Sequence, residues 1–374
     1  MLDELIAFSK FTKIDVILLK EQKEFYQEGL KRLNVDNIKV YTEPISYNNF
    51  TKKMRVVIPF FLKNIFRFRA DYNIVIGLKS IIWFLKMDLS LFSKESNIHA
   101  QFATQSAIIS LLIKKYYNNE PKYSFTFHAY DIYFKSKWFN LLVENCHKAF
   151  SISEYNIDYV SKKYIASKRI VLARLGVFTN DIECVEKKQN NVFTLGLMSW
   201  FVEKKGVVYL LEALKKLKES GYNNVKLILA GDGPLKENYL TYINESDLAS
   251  MVDYNGTVDG KTKIDFYNSL DAFILPSIAL KNDQDGIPVV LMEAIAYGLP
   301  IISTDVSGIP EICIDNYNGF LIKERNVDEI SQSIIKMIEN RDKLSDYSEN
   351  SLLLSKKYDI EINSKEKMKA MGWV

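Results

Sequence analysis

The chain has 374 residues with nearly balanced charge, 49 Lys and Arg against 46 Asp and Glu; 48% of its residues are hydrophobic and 25% charged. Such a balance excludes a disordered or low-complexity chain, and 15 Gly with 8 Pro exclude a loop-dominated or collagen-like one. At roughly 100–200 residues per domain, the length predicts two domains.

In chain order, the first segment reads as a helix on Leu2, Leu5, Ile6, Phe8 and Phe11. Strands are predicted near Asp15–Leu19, Ile38–Tyr41, Asn73–Ile76, Ile98–Phe102, Ser124–His128, Ala149–Ser153 and Ile170–Ala173. A polar stretch between Val177 and Asn191 reads as a linker, and strands resume near Val192–Leu197, Val225–Ala230, Ala272–Leu275, Pro300–Thr304 and Phe320–Ile322. After about Asn350 the chain is charged, with Tyr358 and Ile360 as isolated apolar anchors. Short β-branched runs separated by helical stretches predict an α/β protein with parallel sheets. The expected division is residues 1–177, a linker at 178–191, a second domain at 192–350, and a segment 351–374 that crosses back to the first. Two such domains facing each other place a ligand beyond the carboxyl ends of their strands.

Cys146, Cys184 and Cys313 are far apart and form no CxxC pair, which fits a reducing compartment and offers no zinc site. The longest mainly apolar runs, Val56–Leu62 and Ala107–Ile113, are seven residues each, against about 20 for a membrane-spanning helix. Asp3 and Glu4 leave no room for a signal peptide before the first charges. The expectation is a soluble cytoplasmic protein.

Charge is unevenly spread. Residues 51–94 hold nine cations (Lys52, Lys53, Arg55, Lys63, Arg67, Arg69, Lys79, Lys86 and Lys94) and two anions, Asp71 and Asp88. Aromatic residues alternate with these cations from Ile58 to Arg69, and a second run follows at Ile81–Lys86. The mixture suits an anionic membrane surface, where rings enter the interface and cations meet phosphates. It equally suits a core helix whose lysines reach solvent. Nucleic acid is disfavoured, since the chain as a whole is not strongly basic.

The segment Asp285-Gly286-Ile287-Pro288-Val289, continuing to Glu293 and Gly298-Leu299-Pro300, carries the strongest chemical signal. Pro288 suits a first helical turn, and Gly298 with Pro300 ends the helix. Free N–H groups around Gly286–Val289 would form an anion site, and Glu293 could accept paired hydrogen bonds from vicinal hydroxyls. An exposed helix Glu with a nearby cap carboxylate is the plain alternative. Glu203-Lys204-Lys205-Gly206 precedes an apolar-periodic helix, where lysines oppose the macrodipole; an anionic ligand, or simple solvation, would relieve them. His128 ends a strand and is either a site residue or a structural one. Gly231-Asp232-Gly233-Pro234 follows a strand and opens a helix, without the third Gly of the dinucleotide fingerprint.

Together these residues resemble the family-4 retaining glycosyltransferases of the GT-B fold, in particular the bacterial branch that builds capsular, exopolysaccharide or lipopolysaccharide units. Asp285–Glu293 resembles the family's E-x7-E signature, continued by Ile301–Glu311; Glu203–Gly206 resembles its phosphate-binding Lys-Gly element, and Gly231–Pro234 its donor-domain turn. Phe127–Asp131 and Ser153–Asn156 are similar to elements of its acceptor domain. The resemblance implies two Rossmann-like domains facing a cleft. It implies that Glu293 holds the donor ribose, that Asp285 contacts the transferred sugar, and that Lys205 with the segment Gly286, Ile287, Pro288 and Val289, through the amides of its non-proline residues, faces the diphosphate. Gly231 and Gly233 would border the donor, and His128 the sugar and acceptor.

It further implies no cofactor and no metal, a nucleotide diphosphate sugar of the UDP or GDP type as substrate, and a glycan or lipid-linked glycan acceptor. Residence would be peripheral, on the inner face of the cell membrane. A catalytically silent GT-B protein, or a synthase with a soluble acceptor, are the alternatives. Three features depart from the family. Asp285 stands for its leading Glu, and Trp200 for an Arg five residues before the lysine. A helix stands where the family has a first strand and Gly-rich loop, which predicts a gap in the core of the first domain, either because the true start lies upstream or because the domain is rearranged.

Overall fold

The computed structural model describes residues 2–19, 36–42, 44–68, 71–133, 137–163, 169–180, 182, 191–281 and 283–374. The chain divides into two compact units, Met1–Leu175 with Ile360–Val374, and Gly176–Asp359. Every strand pair within the named sheets is parallel.

In the first unit, α1 (Leu2–Ser9) leads into β1 (Ile14–Leu18), which pairs with β2 (Ile38–Thr42). Helices α2 (Phe50–Lys63) and α3 (Asp71–Lys86) follow. A second sheet is formed by β3 (Asn97–Gln101), β4 (Lys122–Phe127), β5 (Lys148–Ser151) and β6 (Ile170–Leu172) in that order. Its connections carry α4 (Gln105–Tyr116), α5 (Ala129–Tyr133), α6 (Phe139–Asn145) and α7 (Glu154–Lys163).

Among the described residues no strand joins β1 to β3, so the expected gap is present as a break in hydrogen bonding. Side chains cover it. Ile14 and Val16 pack with Phe8, Phe150, Met368 and Met371, while Ile17 and Leu19, two residues apart on the other face of the same strand, join the large cluster around Phe125 and Leu112. The N-terminal helix is held by α14 (Ile360–Met371): Lys367 Nζ lies 2.5 Å from Glu4 Oε1 and 2.7 Å from Thr126 Oγ1, and Gln101 donates to Glu4 Oε2 at 2.6 Å. Burial opposes charge on Glu4, yet Lys367 and Gln101 hold its pKa below the usual carboxylate value.

Residues Asn73–Ile76, expected as a strand, lie inside α3. Buried positions Asn73, Ile76, Ser80, Ile81 and Phe84 recur at helical spacing, and the helix is far longer than the three β-branched residues Ile74, Val75 and Ile76 that suggested a strand. Asn73 is a cross-link here, accepting from Lys137 N at 3.1 Å through its side chain and from Trp138 Nε1 at 3.1 Å through its carbonyl.

The second unit is one six-stranded sheet in the order β12-β11-β10-β7-β8-β9: β7 (Phe193–Trp200), β8 (Val225–Asp232), β9 (Val252–Gly256), β10 (Ala272–Leu275), β11 (Ile301–Thr304) and β12 (Gly319–Ile322). Helices α8 (Val207–Glu219), α9 (Lys236–Glu245), α10 (Gly260–Asn268), α11 (Val289–Ala296), α12 (Val327–Glu339) and α13 (Leu344–Ser355) connect and cover it. β10 and β11 are buried at every position, as central strands covered on both faces should be. β9 went unread in the sequence because Val252 is its sole fully buried residue.

The second unit continues to Asp359, past the end expected at residue 350, because α13 packs on α11 and the Tyr358 hydroxyl donates to Glu311 O at 3.0 Å. Most of the expected linker, residues 181 and 183–190 with Cys184, lies outside the described residues, as does Arg69. Cys146 and Cys313 are buried free thiols. Among the described residues, no helix is long and apolar enough to cross a membrane.

Candidate active site

The strand order of the second unit reverses between β7 and β10: from β7 the chain builds outward through β8 and β9, and from β10 outward through β11 and β12. Loops leaving the carboxyl ends of two such neighbours diverge and leave a crevice. The loop after β7 carries Lys204 and Lys205, and the loop after β10 carries Asp283 and Asp285. The two are in direct contact. Ile278 N donates to Lys204 O at 2.8 Å, and Gly206, at φ 64°, sits so close that an added Cβ would lie 1.9 Å from Pro276 O. A side chain at position 206 would push the lysines away from the aspartates.

Lys205 Nζ lies 2.7 Å from Asp285 Oδ2, which also accepts from Ser277 Oγ at 3.0 Å. Lys204 Nζ lies 2.8 Å from Asp283 Oδ1 and 3.7 Å from Asp285 Oδ1. The side chains of Lys205 and Asp285 are only 14% and 11% exposed, so this is a largely desolvated pair. Thus the conflict between two lysines and the N-terminus of α8 is relieved by two carboxylates from the neighbouring loop.

Pro288 is the N-cap of α11 rather than a residue of its first turn: its ψ of 132° is extended, and its carbonyl accepts from Leu291 N at 3.1 Å. The first amides of α11 therefore start at Val289, beside Gly286 and the buried Ile287, and lack intrahelical partners by construction. The helix ends as expected, with Gly298 at φ 67° and Leu299 N donating to Ala294 O at 3.0 Å. Glu293, on α11, is gripped from α10: Lys263 Nζ is 2.7 Å from Oε1, and the Tyr267 hydroxyl donates to Oε2 at 2.7 Å. Burial, with the Glu293 charge beside it, raises the Tyr267 pKa well above its ordinary value, keeping it a donor. A carboxylate has about four lone-pair sites, so each oxygen retains room for a ligand hydroxyl.

Gly231 and Gly233 have a backbone reason of their own. At φ 130° and 147°, an added Cβ would lie 1.9 Å from Ser199 O and 2.6 Å from Phe201 N respectively. The turn they form is stitched to the end of β7 by Phe201 N donating to Asp232 O at 2.6 Å. Trp200, the last residue of β7, is 60% exposed.

His128 belongs to the first unit, at the carboxyl end of β4. Its Nε2 is buried without a protein partner, and its ring lies 4.6 Å from that of Phe102, itself strained at φ 71° after β3. Burial, then the charge of Lys367, depress its pKa to about 4, so it is neutral at pH 7. Next to it Asp131, the last residue of the Phe127–Asp131 segment and given no role of its own in the sequence, accepts from His128 N at 2.8 Å through Oδ2, while its buried Oδ1 has no partner. Burial raises the Asp131 pKa to about 7, against the hydrogen bond from the His128 amide that lowers it. Asn156, after β5, is fully buried with both amide atoms unpartnered. All three follow carboxyl ends of strands.

The structure thus brings together Lys205 with Asp285, and Glu293 with two partners that sequence reasoning missed, Lys263 and Tyr267. The signal for the latter was available: the two stand four residues apart on one face of a helix.

Residues 180–352 match the family described as Glycosyl transferases group 1. Among curated proteins, the chain is 35% identical over 136 residues to the amylovoran biosynthesis glycosyltransferase AmsK of Erwinia amylovora, covering 36% of this chain and 33% of that protein. It is 28% identical over 159 residues to the capsular polysaccharide biosynthesis glycosyltransferase CapM of Staphylococcus aureus, covering 42% and 39%. The matched stretch spans about a third of the length of the first such relatives. Among solved structures, a glycosyltransferase from Rickettsia africae superposes with a TM-score of 0.72 at 16% identity, over 99% of this chain and 93% of that one. Anabaena HepE in complex with UDP gives 0.71 at 13% identity, over 100% and 96%. By its fold the chain is a GT-B protein, and its second unit carries the match to the group 1 glycosyl transferases.

Proposed function

We propose that this chain is a glycosyltransferase of bacterial surface polysaccharide synthesis. It moves a sugar, with retention, from a nucleotide diphosphate sugar of the UDP or GDP type to a glycan acceptor, lipid-linked and presented at the cytoplasmic side of the membrane. The observation that carries this reading is the lysine–aspartate cluster at the strand-order reversal, backed by the α11 N-terminus and the gripped Glu293. Crevices at such reversals bind nucleotides, and helix N-termini favour phosphate.

In this reading the bond from the anomeric carbon to the diphosphate breaks, and a bond to the acceptor oxygen forms on the same face. The acceptor's proton leaves with the diphosphate. Lys205 and the Gly286–Val289 segment stabilise the charge that develops on the leaving group, where fixed donors in a partly desolvated site act most strongly. Asp285 accepts from hydroxyls of the transferred sugar, and Glu293 from the ribose. His128, neutral with a free Nε2, serves the sugar or acceptor as a hydrogen-bonding group. The step needs no metal, so activity should persist with a chelator.

Calorimetric titration with UDP, GDP and their common sugar conjugates tests the site, with Glu293→Ala as control. Selective binding that vanishes in a folded Glu293→Ala protein is the expected result. Donor affinity unchanged in that variant would sink the assignment. Trp200 motivates a second reading, nucleotide binding without turnover, because an indole cannot supply the missing diphosphate cation. That reading predicts binding with no product from any donor.

A further inference from the structure

The basic, aromatic window resolves into two helices that are each half core and half bare. On α2, Lys53 is not a surface cation at all: it is buried, and its Nζ donates to Ser46 O, Leu85 O and Met87 O at 2.8–3.0 Å. Val57, Phe60 and Asn64 continue that inward face. The outward face carries Ile58, Leu62 and, beyond the helix end, Phe66, exposed by 50%, 63% and 69%. On α3, Ile74, Leu78 and Ile82 stand at i, i+4 and i+8 and are all exposed, although each is a residue type normally buried. Large apolar side chains repeated along one helix face mark an interaction site rather than ordinary surface scatter.

The cations share these faces: Lys52, Arg55, Lys63, Lys79 and Lys86 are exposed, α2 has no acidic residue, and α3 has only Asp71 at its first position. The basic character continues beyond α2. Burial, and then repulsion from Lys63, lower the pKa of Lys115. Lys115 in turn borders a hollow of ≈ 520 Å³ lined by Lys114, Lys122, His147 and Arg169 alongside Glu120 and Glu144.

We infer that the outward faces of α2 and α3 dock on an anionic lipid bilayer, with Ile58, Leu62, Phe66, Ile74, Leu78 and Ile82 entering the interface and the flanking cations meeting lipid phosphates. A two-fold pairing of two copies through the same face would set cation against cation, which charge disfavours. A neutral partner would leave the five cations unmatched. The bilayer satisfies both the apolar and the basic halves of the surface. This surface gives the proposed lipid-linked acceptor a reason to be met at the membrane, and it deepens that reading without depending on it.

The test is co-sedimentation of the full chain with phosphatidylglycerol-containing vesicles and with pure phosphatidylcholine vesicles, at low and high salt, without any sugar donor. The expected result is binding to the anionic vesicles alone, weakened by salt. Lys63→Glu with Lys79→Glu should reduce it at least ~10-fold, since each cation near such a surface is worth a several-fold factor. Leu62→Ser with Ile82→Ser should reduce it similarly. A far-UV circular dichroism spectrum and a thermal transition like the parent's confirm that the variants are folded, and the lysine pair, being exposed, tests the surface even if the apolar pair destabilises the chain. No vesicle binding, equal binding to neutral vesicles, or a dimer dissolved by the apolar variant would each overturn the inference. None of those results would touch the glycosyltransferase reading, which the donor titration decides.

Discussion

The candidate site residues of the two units satisfy their polar groups in different ways. In the second, the site is a set of charges already paired: Lys204 with Asp283, Lys205 with Asp285, Lys263 with Glu293. In the first, the groups at the carboxyl ends of β4 and β5 are buried and unpaired: His128 Nε2, Asp131 Oδ1 and both amide atoms of Asn156. Paired charges resist desolvation and keep their places when no ligand is present, so the second unit is preorganised. Unpaired buried atoms cost free energy, about 1–3 kcal/mol each, and sites that carry them are completed by something else that hydrogen-bonds there.

The largest expected effect comes from Lys205. If it stabilises the departing diphosphate, Lys205→Ala should lower kcat by about 10²–10³-fold in a steady-state assay with the donor that titration identifies. Lys204 should hold Asp285 in place meanwhile, since it already lies 3.7 Å away. A loss confined to KM would assign Lys205 to ground-state binding instead.

Asp131 makes the stability of the first unit depend on pH. Its pKa rises from 3.8 to about 7 on folding, so between those values the folded chain binds the extra proton and stability falls as pH rises. Asp131→Asn removes that loss. Relative to the parent, the unfolding transition of the first unit should gain roughly 1.4 kcal/mol per pH unit between pH 4 and 7, and level off above. His128 works with the opposite sign: its folded pKa of about 4 lies below the ordinary 6.5, so its contribution is lost as pH falls through that window. A denaturant series at several pH values separates them, and a flat difference between Asp131→Asn and the parent would remove Asp131 from the buried cluster. The smallest effect belongs to Trp200. If its exposed ring stacks on the ligand, Trp200→Ala should weaken donor binding by a factor of roughly 5–10, about 1–1.5 kcal/mol, while Trp200→Phe keeps most of it.

The elements legible in the sequence were those whose signal is local. β10, β11 and the end of α11 announce themselves by continuous apolar runs and by Gly298 before Pro300, and the structure has them within a residue or two. What stayed hidden depends on partners distant in sequence. A buried lysine such as Lys53 looks like any surface lysine until three carbonyls converge on it. The grip on Glu293 comes from residues 30 and 26 positions earlier, and the neutralisation of Lys204 from a loop 79 positions later. The run at Asn73–Ile76 misled because three consecutive β-branched residues satisfy a strand and a buried helix alike.

The return of α14 to the first unit has a consequence for how the molecule comes into being. Glu4 and Lys367, both almost fully buried, are 363 positions apart, and Phe8 and Ile14 pack against Met368 and Met371. At ribosomal rates of about 5–20 residues per second, α1 waits on the order of 20–70 s for the helix that covers it. Through that interval an apolar helix and an acidic side chain lack their native cover, while the second unit can complete its own sheet as it emerges. The order of completion is thus inverted relative to the order of synthesis: the half made first is finished last, and it is the half whose folding in the cell most needs protection from aggregation.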